Sequence, residues 1–444
     1  MSYSIREILN VTIPAVLTAL SMNLMNVADK IILMNYSIDA MNAVNISGNM
    51  VSIISYMFVS MACTAEIFVG QYNGAKQPNN LARPVWQMVY LSLFANLIFI
   101  PFGIFSEYLN MLPAYYEDDG IAYQSILIYF CSVPCMTAAI SSFFVGQGKL
   151  AVVSIAVLIG NLLNVVLDIV LVFGINGVIP NLGAKGAAIA TVISEIIQLA
   201  ILICVFFRQS NRKIFKIFEN MRFDRTLFKK CCKIGFPMSI GRLFEISAWY
   251  FIYVVLGHVS KEMATVHGIA STVFTIFAFL QEGLSKAIST LSANLIGMKN
   301  LDGVKRIFRI FVIITLCISA LTAIPLVIFP EFLFNFQDMT GNDISSFHSV
   351  LRVLFKIIVL DIFLETLGCI TWGILMSGGD TRYPIIANLL CLWGTVVIPV
   401  IIMYYCGALD SVILVWKLCI LWCISSLFFM YKRYRSLKWY NSVV

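Results

Sequence analysis

The chain is a succession of apolar runs, each long enough to cross a lipid bilayer, joined by short charged connections. Crossing the hydrocarbon core as a helix takes about 20 mainly apolar residues. Such runs fall near 8–34, 45–70, 84–105, 121–145, 150–174 and 185–207, then near 234–257, 263–297, 307–329, 347–376, 384–405 and 410–431. Of the 444 residues, 60% are hydrophobic and only 12% charged, and the mean hydropathy is +0.89. A soluble domain carries about a quarter charged residues. The expected fold class is therefore an all-α polytopic membrane protein with twelve transmembrane helices. Met1 to Asn10 is short and polar, and no small-residue cleavage site follows it, so a removable leader is not expected.

The connections alternate in charge. One set carries Lys76, Arg83, Lys149, Lys299, Lys305, Arg306 and Arg309, with Lys432, Arg433, Arg435 and Lys438 in the tail. The other carries Asp39, Glu107, Glu117, Asp118, Asp119, Glu331, Asp338, Asp343 and Asp410. The enrichment of Lys and Arg in cytoplasmic loops puts the first set, and both termini, in the cytoplasm, with the protein in a plasma or inner membrane. The net charge of +7 then reflects sidedness, and no nucleic acid is implied. Between Arg208 and Lys233 nine basic residues face only Glu219 and Asp224, which reads as a cytoplasmic joint lying against anionic lipid. The expected division is an N-lobe at 1–207, this linker at 208–233, a C-lobe at 234–431 and a tail at 432–444. The 12 cysteines lie mostly within apolar runs and make no CxxC pair, so they read as reduced packing residues.

The halves resemble one another. Pro14 and Pro237 stand 223 residues apart, and Gln71-Tyr-Asn-Gly-Ala-Lys76 and Asn294-Leu-Ile-Gly-Met-Lys299 share that offset, each closing the second run of its half. Further along, the offset grows by eight and aligns Gly148-Lys149 with Gly379-Asp380. Six spans per half make both halves enter from the same side, as parallel repeats about an axis along the membrane normal. Such repeats place binding sites at their interface and suit alternating access.

Asp168 lies in Gly160-Asn-Leu-Leu-Asn-Val-Val-Leu-Asp-Ile-Val-Leu-Val-Phe-Gly174, with Asn164 one turn earlier on the same face. A carboxylate at such depth is costly unless paired, hydrated or protonated, and it marks an ion or proton pathway by default. This run, with Gly146-Gln-Gly-Lys149 before it, Gly183-Ala-Lys-Gly-Ala-Ala-Ile-Ala-Thr191 after it and Gly378-Gly-Asp-Thr-Arg-Tyr-Pro384 in the second half, resembles the multidrug and toxic compound extrusion (MATE) transporters of the MOP flippase superfamily. The similarity covers essentially the whole chain. It implies two six-helix lobes related by pseudo-two-fold symmetry around a V-shaped central cavity. It also implies cation-driven antiport exporting small amphipathic, often cationic organic compounds, with no cofactor beyond the coupling ion. Organic substrates and membrane lipids are the expected partners of a chain read as a monomer.

Asp29 late in span 1, Asn164 and Asp168 late in span 5 and Thr191 early in span 6 reach similar depths in the outer leaflet, counting about 1.5 Å per residue. In MATE-like proteins the matching positions form a proton- or sodium-responsive site. Two neighbouring carboxylates in low dielectric cannot both stay charged unless a cation intervenes. Glu195, one turn beyond Thr191, is expected to face the same pocket. The oxygens of Asp29, Asn164, Asp168 and Thr191 would complete a sodium site; no other metal is expected. Pro14 removes a backbone bond and bends span 1, and the resemblance implies a hinge that responds to the acid.

Spans 7, 8 and 10 carry a second charged set: Arg242 and Glu245, Glu282 and Lys286, Asp361 and Glu365. Glu245 and Glu365 match the acidic pair that some bacterial members use for cation binding, while Asp361 falls where those members tend to have a tyrosine. All six are expected to face the cavity, because a lipid-facing charge at mid-membrane is too costly. Arg242 and Glu245, and Glu282 and Lys286, stand at helix-neighbour spacings, so ion pairs tying the C-lobe together are an equal reading. Glu66 is read as snorkelling or capping, His258 as solvated and His267 as a helix–helix hydrogen bonder. Most aromatics read as interface belt or packing.

Proton-coupled multidrug antiport is the expected function. Sodium coupling and a lipid or lipid-linked saccharide flippase are the alternatives, the latter wanting a cationic cavity that only Arg242 and Lys286 supply. No HExxH, DDxxD-type cluster, GxSxG or Walker loop occurs, which leaves neither catalysis nor ATP coupling with residues to run on. Nothing resembles a selectivity filter.

Overall fold

A computed structural model describes residues 3–105, 117–175, 178–328 and 347–440. Nearly all of them are helical, and among them the single bridge Ile175 to Ile179 closes a short loop. Among the described residues, nine helices are long and apolar enough to cross a membrane, and Asp118–Phe130 with Ser132–Gly146, bent by 41° at its break, is a tenth. Leu301–Ile328 and His348–Ser377 fill the places of spans 9 and 10. Every expected run is thus a helix. The acidic residues Glu107, Glu331, Asp338 and Asp343 lie outside the described residues.

Local chemistry explains several boundaries. Span 1 (Ile5–Tyr36) begins in a capping box, with the Ser4 hydroxyl accepting from the Glu7 amide and Glu7 accepting from the Ser4 amide. Two of the otherwise orphaned donors of the first turn are so satisfied. Span 11 runs as Arg382–Leu392, a π-helical turn at Trp393–Val397, and Ile398–Tyr405. Pro399 lacks an amide proton, and the widened turn just before it accommodates the missing bond.

The chain forms two compact units. The first holds Ser4–Ser239 together with Ala293–Lys299; the second holds Ile240–Ser292 and the chain from Asn300 onward. The first unit is built on edge-to-face aromatic packing. Phe143 meets Phe206 at 4.9 Å and Phe215 at 5.1 Å between ring centroids. Phe215 and Ile217 belong to the basic linker, yet both are buried in this core. Span 3 (Ala82–Ile104) grips the linker backbone as well: Trp86 Nε1 donates to the Ile217 carbonyl at 3.0 Å, Gln87 Nε2 to that of Arg222 at 3.0 Å, and the Tyr90 hydroxyl to that of Met221. Arg83 pairs with Asp224 at 2.9 Å. The linker is a folded part of the first unit rather than a loose joint.

The internal repeat is visible in the backbone. Lys76 and Lys299 both take a left-handed conformation with φ of 56°, and Gly148 and Gly379 do so at 77° and 76°. The ends of span 2 and span 8 (Lys261–Gly297) also dock reciprocally. A methyl group at Gly74 would overlap the Asn294 carbonyl oxygen, and one at Gly297 would overlap that of Gln71. Only glycine permits this approach at both positions. Asn294 seals the contact, donating to the Gly146 carbonyl at 2.8 Å and accepting from Asn73 at 2.6 Å.

In the second unit, span 12 (Val412–Arg435) packs against span 10. Trp439 is fully buried, stacks on Tyr434 at 5.7 Å and donates to the Tyr434 carbonyl at 2.8 Å. Arg433 pairs with Asp380 at 2.6 Å, so the start of the basic tail is bound to the Gly-Gly-Asp turn.

Candidate functional site

Span 1 and span 5 (Leu150–Phe173) lie side by side, joined by a ladder of polar contacts. At one end the hydroxyls of Thr18 and Ser154 are 2.7 Å apart, and each is 2.8 Å from the Pro14 carbonyl oxygen. One step up, Asn161 Nδ2 donates to Ser21 Oγ at 2.8 Å. At the top the carboxyl groups of Asp29 and Asp168 come within hydrogen-bonding reach of one another. Ser154, Asn161 and Asp168 recur every seven residues, two helical turns. The ladder thus runs from the proline to the acids.

The acid end is short of partners. Asp168 is 1% exposed. Asp29 Oδ1, both carboxyl oxygens of Asp168 and Asn164 Oδ1 have no hydrogen-bond partner among the described residues. Buried polar groups are ordinarily paired, and an exception needs an explanation. A contact between two carboxyl groups is a hydrogen bond only when one proton lies between them. Asn164 reaches Thr191 at 3.5 Å, while the Thr191 hydroxyl is committed to the Ala187 carbonyl at 3.0 Å. Asp29, Asn164, Asp168 and Thr191 are therefore brought together. Glu195 stands further along span 6 (Gly183–Phe206), near Cys131 and Cys135 of span 4.

Tyr123 of span 4 is the group sequence reading missed. Asp29, Asp168 and Glu195 all act on it electrostatically, and its ring lies against Gly48, 3.5 Å from where a β-carbon would stand. No local motif marks it among the 18 tyrosines. Only the packing of span 4 on spans 2 and 6 brings it to the acids.

The second unit gathers its charges differently. Glu245 accepts from Arg242 at 3.1 Å, Glu365 from Gln281 at 3.2 Å, and Asp361 from the Cys423 thiol at 3.2 Å. Arg242, Glu245 and Asp361 all act on Glu365, and Glu282 lies with Arg242, Glu245 and Glu365 around Cys369. Glu282 is exposed, and Lys286, one turn on, is half-buried. Gln281 and Cys423, both read earlier as packing or not singled out, supply donors to two of the acids. His267 is buried beside Trp416, 6.0 Å between ring centroids, and His258 Nδ1 lies 2.8 Å from the Val254 carbonyl oxygen.

Twelve membrane-length helices built as a duplicated half, with an acidic site inside the first, define a helical membrane transporter. The MatE family profile matches twice, over residues 14–170 and 237–403, and the chain belongs to this family. Among curated relatives, the probable multidrug resistance protein NorM of Thermotoga maritima is 25% identical over 393 residues, covering 87% of this chain and 83% of that protein. NorM of Pasteurella multocida is 22% identical, covering 87% and 84%. The fold matches a MATE protein solved in complex with MaL6 (TM-score 0.87, 17% identity, 97% and 95% covered). It also matches a Pyrococcus furiosus MOP superfamily transporter whose reversed pocket polarity suggested a different function (TM-score 0.85, 15% identity, 98% and 96% covered).

Proposed function

We propose that the chain is a multidrug exporter that drives small amphipathic, often cationic organic compounds outward by antiport with protons, through alternating access of lobes at 1–207 and 234–431. It works as a multi-pass protein of the plasma or inner membrane with both termini cytoplasmic, and as a transporter rather than an enzyme. The observation that carries the reading is the contact of Asp29 with Asp168. A carboxyl pair with one member buried and no ion pair to a basic side chain among the described residues holds one proton well and two negative charges badly. Loading and release of that proton changes the charge at the top of the span-1 ladder, and Pro14 at its foot supplies a bend where span 1 can respond. Names of curated relatives support the substrate class.

Asn164 Oδ1 favours a second reading. A shared proton needs only the carboxyls, whereas sodium needs several oxygens, and an unpartnered amide oxygen beside them suits the ion. Efflux of a cationic dye from vesicles, driven in turn by a pH jump and by a sodium jump, separates the two. Proton coupling predicts efflux with the pH jump in sodium-free buffer. Efflux with the sodium jump alone would overturn it.

A further inference from the structure

The first turns of span 7 (Arg225–Val259) carry a cavity apart from the residues proposed for coupling. Arg225, Thr226, Lys229, Lys230 and Lys233 line a space of about 490 Å³. They share one face of the helix; on the opposite face Leu227, Cys231 and Ile234 are buried in the core of the first unit. Arg225, Lys229 and Lys233 follow one another at four-residue spacing, where like charges repel. None of the four basic side chains makes an ion pair or hydrogen bond with a described residue. Nearby cations are engaged: Arg83 by Asp224, Lys216 by Glu219 at 3.3 Å, and Arg212 over the Phe207 and Phe218 rings.

The helix start does not supply the attraction, because Asp224 already caps it, accepting from the amides of Thr226 and Leu227 at 3.0 Å each. The side chains alone face the cavity. They stand on a fixed base, since span 3 holds the preceding linker at Ile217, Met221, Arg222 and Asp224. Three residues beyond Lys233, Phe236 is half exposed on the same face. Phe223, two residues before Arg225, is also half exposed and packs edge-on against Phe94. Cations over about 12 Å of helix, followed by exposed aromatic rings, repeat the order of headgroup and acyl chain in a leaflet.

We propose that Arg225, Thr226, Lys229, Lys230 and Lys233 form a binding site for the phosphate-bearing headgroup of an anionic glycerophospholipid, in the leaflet that the loop charges assign to the cytoplasm. The cations take the phosphate, the Thr226 hydroxyl adds a donor, and Phe236 borders the chains.

The test titrates phosphatidylglycerol, phosphatidylcholine and soluble glycerol 3-phosphate into the full-length protein in a neutral detergent, following the thermal midpoint. Wild type should be stabilised by phosphatidylglycerol and far less by the other two. Each lysine near a lipid surface is worth roughly fivefold in affinity, so Lys229→Gln/Lys230→Gln/Lys233→Gln should weaken the phosphatidylglycerol response on the order of a hundredfold. Arginine at the same three positions should preserve it. A control triple, Arg208→Gln/Lys213→Gln/Arg222→Gln, removes the same charge outside the cavity and should change little. Should the first triple not fold, Lys229→Gln alone should show the fivefold loss. An unchanged lipid preference in the cavity variants, or an equal loss in the control, overturns the site. A response to glycerol 3-phosphate equal to that for the lipid overturns the lipid assignment.

Discussion

The two units bury acids in opposite ways. In the first, Asp29 and Asp168 face each other, and Asp29 Oδ1, both Asp168 oxygens and Asn164 Oδ1 lack donors among the described residues. In the second, Glu245, Glu365 and Asp361 each accept from a separate donor: Arg242, Gln281 and Cys423. A set of acids satisfied from within is already at rest and holds helices together. A set left short must take its missing partner from outside, and for a transporter that partner is a mobile cation. This contrast supports the proposal that the coupling site lies in the first unit, with much of the second unit's charge structural.

The largest effect should come from Asp168→Asn, which is expected to lower coupled dye efflux at least tenfold. Equal loss from Asp361→Asn, with its thiol donor, would erase the contrast between the units. Next is Gln281→Leu. It strips a donor from half-buried Glu365 and should destabilise by about 1–3 kcal/mol, read as a fall in thermal midpoint. Asp168→Asn itself should leave the midpoint within roughly 1 kcal/mol of wild type, because the amide can donate to Asp29 in place of the shared proton. A large destabilisation there would mean that the acid is a structural knot.

Arg242→Gln should matter least to stability. Arg242 is 58% exposed, and an exposed pair contributes only about 0–1 kcal/mol. The smallest effect lies outside both sites. The amides of Leu227 and Thr226, with Arg83, hold the Asp224 carboxyl below its ordinary range. A depressed value stabilises the folded linker above the unfolded pKa of about 3.9 and loses that contribution as pH falls through the folded value. Hydrogen exchange at the Thr226 and Leu227 amides should therefore speed up, beyond its intrinsic pH trend, only on acidification below that range. Asp224→Asn should remove this pH response.

Much of this was legible before any coordinates. The spans are long runs of one chemistry, so hydropathy finds them. The repeat was readable at Lys76 and Lys299 because the same turn needs the same residues twice. Asp168 was readable because an acid among aliphatics has no innocent explanation at that depth. Ser154 and Asn161 were not singled out, because small polar residues are common in spans, and only span 1 packed beside them shows their partners Thr18 and Ser21. Tyr123 and Cys423 were not legible: each is a common residue in an apolar helix, distinguished only by what another helix brings to it. The linker was legible in part: its nine basic residues point to solvent and lipid, but the anchoring that Phe215 and Ile217 add between them shows only in the packing.

Sequence alone determined the number of spans, their duplication and the presence of acids that lipid would not tolerate. These follow from local composition, because the bilayer imposes one length and one polarity on every crossing segment. Tertiary structure decided which acids are satisfied. Whether a buried carboxyl meets a thiol, an amide or another carboxyl depends on the rotation and register of helices far apart in the chain, and no single helix encodes its neighbour's face.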